Sequence, residues 1–175
     1  LASASLRAQE PIQYLPNYEG SAQERQTYFH LPEGSERVPL RLLKALKSVE
    51  TGKPFLQDIE RMGFLSDPDS PDGLAIGMAA GPPADPKMAI FGQSVGFNCA
   101  ACHTGEFKAS GKRVRIIGAP AKADFEAFAN DLKASGVATL KKPAELVAFL
   151  FKFGFPPSGT GWSPAKLSSL DPNVR

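Results

Sequence analysis

The chain has 175 residues, enough for one domain with a core of its own and an appended arm. Hydrophobic residues make up 42% and charged residues 22%, which excludes collagen, coiled coil and wholesale disorder. Lys and Arg number 20 against 18 Asp and Glu, too even a balance to argue for nucleic acid, and no run approaches the roughly 18 apolar residues of a membrane span.

The first residues, Leu1-Ala2-Ser3-Ala4-Ser5, lack the apolar stretch of about 7 to 15 residues that marks a secretory signal. Ala2-Ser3-Ala4 loosely resembles the A-x-A mark of a processed one, and a fragment end reads equally well. Residues 1–27 are polar and interrupted by Pro11 and Pro16, so they are expected to form an extended arm anchored by Tyr14, Leu15 and Tyr18. Residues 36–50 predict the first helix, with Leu42, Leu43, Leu46 and Val49 on one stripe, Pro39 in the first turn and Gly52 as the stop. A short helix over 55–62 carries Phe55, Leu56, Ile59 and Met62, the last read as core packing.

Residues 63–96 read as loop: Asp67 to Gly73 is turn chemistry, and Gly81-Pro82-Pro83-Ala84-Asp85-Pro86 cannot be helical inside. A loop this long in a compact domain is functional or wrapped around something. Residues 97–103 predict a short helix, and Glu106 to Ile117 a hairpin about Ser110-Gly111. A helix over 122–134 places Phe125, Phe128, Ala129 and Leu132 on one face and ends at Gly136. A helix over 143–153, opened by Pro143, is apolar on more than one side, so it is central in the core or covered by a partner. Residues 156–175 form a Pro/Gly/Ser tail with Trp162, and the C-terminus has the look of a chain once part of something longer. The expected class is mainly α, with an arm at 1–27, a domain at 28–155 and an irregular tail. The acidic residues are scattered and read as surface.

The counts that matter most are the smallest: two cysteines and two histidines. Three of the four stand together in Cys99-Ala100-Ala101-Cys102-His103, a C-x-x-C-H motif that attaches haem c. Two thiols three positions apart on one turn can each add to a vinyl group of one porphyrin, and the next residue then presents an imidazole to the iron. The other readings fit less well. A redox disulfide wants a βαβ context, which is missing; zinc wants four ligands, and only His30 remains; a structural thiol pair leaves His103 unexplained. The sixth iron position could be filled by His30, by Met78 or Met88 from the long loop, or left open. Phe97, with Phe91, Ile117 and Phe125, could wall the haem. Arg113 and Arg115, with Lys112, could pair with its propionates or simply form a solvated hairpin face.

The motif lies within a longer ordered pattern. Tyr28-Phe29-His30-Leu31-Pro32-Glu33-Gly34-Ser35 is followed by Glu60-Arg61-Met62-Gly63-Phe64-Leu65 and Pro71-Asp72-Gly73-Leu74-Ala75-Ile76-Gly77. Val95-Gly96-Phe97-Asn98-Cys99 through Gly105 and Gly118-Ala119-Pro120-Ala121-Lys122-Ala123-Asp124-Phe125 complete it. Over residues 28–153 this order resembles the N-terminal haem region of large bacterial di-haem cytochromes c, the family that includes the rubber oxygenases and is related to the di-haem cytochrome c peroxidases. The resemblance implies a periplasmic or extracellular, cytochrome c-like small-helix fold, with haem on Cys99 and Cys102 and His103 on the iron. Family members carry a second C-x-x-C-H, and this chain has none. The expected function is therefore a mono-haem c-type cytochrome domain that carries single electrons to or from a redox partner protein or an associated enzyme domain. The alternative is a haem c peroxidase or dioxygenase fragment with an open sixth position. A haem-based sensor or structural haem domain is the weaker third.

Overall fold

A computed structural model describes residues 12–15, 20–70 and 72–153. It begins with a strand, β1 (Ile12–Tyr14), and a helix, α1 (Ala22–His30). Ser21 and Glu24 start that helix reciprocally: the Ser21 Oγ accepts from the Glu24 amide at 3.2 Å, and the Glu24 carboxylate accepts from the Ser21 amide at 2.7 Å. Helix α1 thus crosses the boundary expected at residue 27, and residues 22–27 are not an extended arm.

The remaining elements are β2 (Val38–Pro39), α2 (Leu40–Ala45), α3 (Phe55–Asp58), β3 (Met78–Gly81), β4 (Ser94–Phe97), β5 (Thr104–Ala109), β6 (Lys112–Ile117), α4 (Phe125–Lys141) and α5 (Pro143–Phe153). Short 3-10 turns cover Ile59–Met62, Pro86–Phe91 and Cys99–Ala101. The strands form two three-stranded sheets, β1-β6-β5 and β2-β4-β3, so the fold is mixed α/β and the mainly α expectation is overturned.

The reason is local. Met78-Ala79-Ala80-Gly81 and Ser94-Val95-Gly96-Phe97 are four residues each and nearly all buried, so neither alternates in polarity. Gly96 marks a close backbone approach, for a Cβ there would stand 2.3 Å from the Ser35 Oγ. The expected loop at 63–96 therefore supplies two strands of a buried sheet. In the other sheet, β5 and β6 pair antiparallel with Glu106 opposite Arg115, and β1 lies parallel to β6. Ser110 and Gly111 make the hairpin turn with positive φ at both positions, 48° and 72°, which matches the right-handed strand twist.

Two helices differ from expectation. Residues 36–50 do not form one helix: α2 stops at Ala45 because the Leu46 carbonyl accepts from Phe55 N, and Ser48 N donates to the Lys53 carbonyl, folding the chain back on itself. Helix α4 runs through Gly136 to Lys141. Helix α5 occupies the range expected for it, while Tyr18, Trp162 and the tail at 156–175 fall outside the described residues.

The main core gathers Leu40, Leu43, Leu46, Phe55, Ile59, Met62, Phe64, Met78 and Phe128, with Phe97 and Phe125 packed against it. Phe97 lies edge-on to Phe125 at 4.9 Å between ring centroids and stacks on Phe64 at 5.6 Å. A smaller cluster of Phe29, Ile76 and Ala100, flanked by Tyr14, Tyr28, Leu65 and Ile117, sits beneath the cysteine motif. Several acidic residues expected at the surface are buried, among them Glu36, Asp58, Asp67 and Asp131. Among the described residues no helix is long and apolar enough to cross a membrane.

Candidate functional site

Strand β4 delivers the chain to Asn98, and Asn98 builds the motif turn. Its Oδ1 accepts from the Ala100 amide at 3.0 Å, capping the 3-10 turn. Its Nδ2 faces the carbonyls of Tyr28, Phe29 and Leu31 at 3.2, 3.3 and 3.0 Å. These belong to the last turn and exit of α1, whose final carbonyls have no partner within the helix. One buried amide therefore fastens the motif to α1.

The turn has an inner and an outer side. Ala100 and Ala101 are buried, while Cys99, Cys102 and His103 are exposed. Ala101 lies over Gly77, where φ is +83° and a Cβ would come within 2.1 Å of the Ala101 amide nitrogen. Only glycine accommodates both that backbone conformation and that approach. The His103 amide donates to the Cys99 carbonyl at 3.0 Å. The Cys102 and His103 carbonyls accept from Ala121 N at 2.9 Å and Gly118 N at 2.7 Å. The backbone is held throughout, and the side chains that face outward are the two thiols and the imidazole.

Both cysteines are free thiols. The Cys99 Sγ lies 3.6 Å from the Glu33 Oε2, to which its S–H donates. Burial raises the Tyr28 phenol above its ordinary value, and Cys99 and Glu33 beside it add to the effect. Tyr28 and Glu33 belong to the first segment of the ordered pattern, but their place beside Cys99 had no sequence signal, because Glu33 precedes Cys99 by 66 residues. Asn98 was readable as a cap-type residue immediately before the turn; its grip on α1 was not.

The other candidates lie as follows. His30 is engaged at both ring nitrogens, Nδ1 with the Met78 carbonyl at 2.7 Å and Nε2 with the Asp67 carboxylate at 2.9 Å. Met62 and Met78 are buried in the core, and Met88 is half-buried on the 3-10 turn Pro86–Phe91. Phe97 belongs to the aromatic core, and Phe91 packs against Phe153. Arg113 pairs with Glu106 at 2.7 Å. Arg115 is fully buried, bonded to Glu106 at 2.6 Å and to the Ser66 carbonyl at 2.6 Å. The structure thus gathers Cys99, Cys102 and His103, and turns His30, Met78, Arg113 and Arg115 to structural partners.

The donor set fits haem c: two accessible thiols at the attachment spacing, unpaired with each other, followed by an accessible imidazole. Among the described residues no three His, Cys, Asp or Glu side chains are grouped to hold a bare metal ion.

No family model matches the chain, and no solved structure matches it. It is similar to the uncharacterized protein y4iJ of Sinorhizobium fredii, with 35% identity over 136 residues, 67% of this chain. That stretch is 22% of the relative, so the chain spans less than a quarter of the length of the curated protein it matches.

Proposed function

We propose that this chain is a mono-haem c-type cytochrome module that carries single electrons to or from a redox partner, a separate protein or an associated enzyme domain. Cys99 and Cys102 would hold one covalent haem c, and His103 would ligate its iron. Bound there, the haem supplies a one-electron couple. The observation that carries this reading is the display of these three side chains on the outer side of a turn whose two intervening alanines are buried. Asn98 and Gly77 keep that turn in place. The ordered resemblance to the N-terminal haem region of the bacterial di-haem cytochromes c supports the same reading, with a periplasmic or extracellular location.

Covalent attachment tests it. Produced in a host that matures c-type cytochromes, the protein should retain haem through denaturing electrophoresis. Cys99→Ala and Cys102→Ala should each weaken that retention, and the double variant should abolish it. A wild-type protein that never acquires covalent haem would refute the assignment.

A second reading, a haem c peroxidase or dioxygenase fragment with an open sixth position, is favoured by one observation. Of the candidate sixth ligands, His30 is committed at both nitrogens and Met62 and Met78 are buried in the core, which leaves Met88, half-buried on the turn Pro86–Phe91, for the electron-carrier reading. Carbon monoxide distinguishes the two. An electron carrier should be low-spin and insensitive to it when reduced; rapid binding to the ferrous protein would select the open-site reading.

A further inference from the structure

Resting on the haem reading above, we infer that Glu33 is a charge-positioning residue for the haem, setting its reduction potential from the Cys99 edge.

The Cys99 Sγ is the atom that would become a thioether sulfur, so a group packed against it lies at the edge of the attached haem. That group is the Glu33 carboxylate, 3.6 Å away. The segment carrying Glu33 is strapped to the motif. The Leu31 carbonyl accepts from the Asn98 amide at 3.0 Å, and the Ser35 hydroxyl donates to the Phe97 carbonyl at 2.7 Å. The Glu33 amide itself donates to the buried Glu36 carboxylate at 3.1 Å. The backbone that carries Glu33 is therefore placed by restraints that do not depend on the thiol, while its side chain is exposed.

Attachment changes what the carboxylate meets. A thioether has no S–H to donate, so the negative charge then stands beside the haem without that hydrogen bond. Tyr28, whose phenol lies beside Cys99 and Glu33, stays neutral near neutral pH. A negative charge held near the haem edge stabilises the ferric state over the ferrous one and lowers the potential. The surrounding solvent moderates the effect, and salt screens it.

The test is the midpoint potential of the haem-loaded full chain, with attached haem quantified in the same samples. Glu33→Gln should shift the potential upward, Glu33→Asp should stay near wild type, and added salt should narrow the gap between wild type and Glu33→Gln. Glu145→Gln, on helix α5, should leave the potential unchanged. Full haem attachment with an unshifted potential in Glu33→Gln would overturn the inference and leave the haem assignment intact. An equal rise in Glu145→Gln would overturn it as well, because the effect would then be one of net charge. Wild-type protein without covalent haem would overturn the haem assignment itself, and this inference with it.

Discussion

His30 makes two hydrogen bonds that coexist in one protonation state. The Met78 carbonyl and the Asp67 carboxylate are both acceptors, so both ring nitrogens must donate and the ring is an imidazolium. Burial by itself would lower its affinity for the second proton. The Asp67 hydrogen bond, the Met78 carbonyl and the charges of Asp67 and Asp72 outweigh that, and hold His30 above its ordinary value. Burial would likewise raise Asp67, but hydrogen bonds from His30, Gln26 and the Asp69 amide hold it below the usual carboxylate range. The raised His30 value contributes stability in full below about pH 6.5 and loses it as pH rises through the folded value. The lowered Asp67 value contributes above about pH 4 and is lost as pH falls through the folded value. His30→Gln should therefore cost about 1–3 kcal/mol near pH 6, with the loss narrowing as pH rises past the His30 titration. Urea unfolding across pH checks this, and a penalty independent of pH would contradict the imidazolium. The same variant should leave a haem spectrum unchanged. A second histidine in a chain with one C-x-x-C-H naturally reads as the distal ligand. Its actual partners were illegible, because Asp67 lies 37 residues away and Met78 is in a strand with no sequence signature.

At the scale of elements, two glycines show what a local pattern can and cannot settle. Gly136 reads as a helix stop, yet α4 passes through it. The residues on either side are anchored: the Ser135 hydroxyl accepts from the Val49 amide at 2.8 Å, and the Thr139 hydroxyl donates to the Ser135 carbonyl at 2.9 Å. The Val49 bond is tertiary and the Thr139 bond is internal to α4; together they offset the glycine's helix penalty, roughly 0.5–1 kcal/mol. A Cβ at Gly136 would meet nothing within 4 Å, so Gly136→Ala should stabilise the protein by about that amount. Gly77→Ala should do the opposite, losing about 3 kcal/mol or more, since its φ is +83° and its Cβ would collide with Ala101. Thermal unfolding should separate the two in sign, and the second should also impair haem attachment by displacing the motif turn. Elements with a self-contained signal were legible: the Ser110-Gly111 hairpin, and α5 with proline at its start. Helix α1 had a signal too, the Ser21 and Glu24 capping box, hidden by the polar composition around it. Strands β3 and β4 had none, because burial on both faces removes alternation and their glycines answer to the distant segment Pro32–Glu36, Gly81 to the Pro32 and Glu36 side chains and Gly96 to Ser35 and the Glu36 backbone.

Across the whole molecule, the regions before and after the motif are joined by charge as well as by the aromatic core. Arg61 donates from Nε to Asp58 at 2.8 Å, pairs with Glu50 at 2.7 Å, and extends its remaining nitrogen to Asp131 on α4. Asp58 and Asp131 are both buried, so one guanidinium fork compensates two carboxylates that water cannot reach freely. Residues scattered this far apart look like surface acids in a linear reading; only the packing of α4 against the turn Ile59–Met62 makes them a network. Burial alone would raise Asp58, but hydrogen bonds from Thr51 and Arg61, with the charges of Arg61 and Lys53, keep it below its ordinary value. A lowered carboxylate contributes stability above about pH 4 and loses it as pH falls through the folded value. Arg61→Met keeps much of the side-chain volume and takes the shared cation from both carboxylates, leaving Asp58 with Thr51 and Lys53 and Asp131 with the Ser48 and Ser135 hydroxyls. It should cost about 2–4 kcal/mol at neutral pH, and less in acid, where Asp58 takes up a proton and no longer needs the cation. Adding Asp131→Asn should recover part of the loss, because one carboxylate deprived of the guanidinium then remains, Asp58, rather than two. Equal penalties at neutral and acid pH, or no recovery in the double variant, would mean that Arg61 acts through its apolar stem and that charge does not join these two parts of the fold.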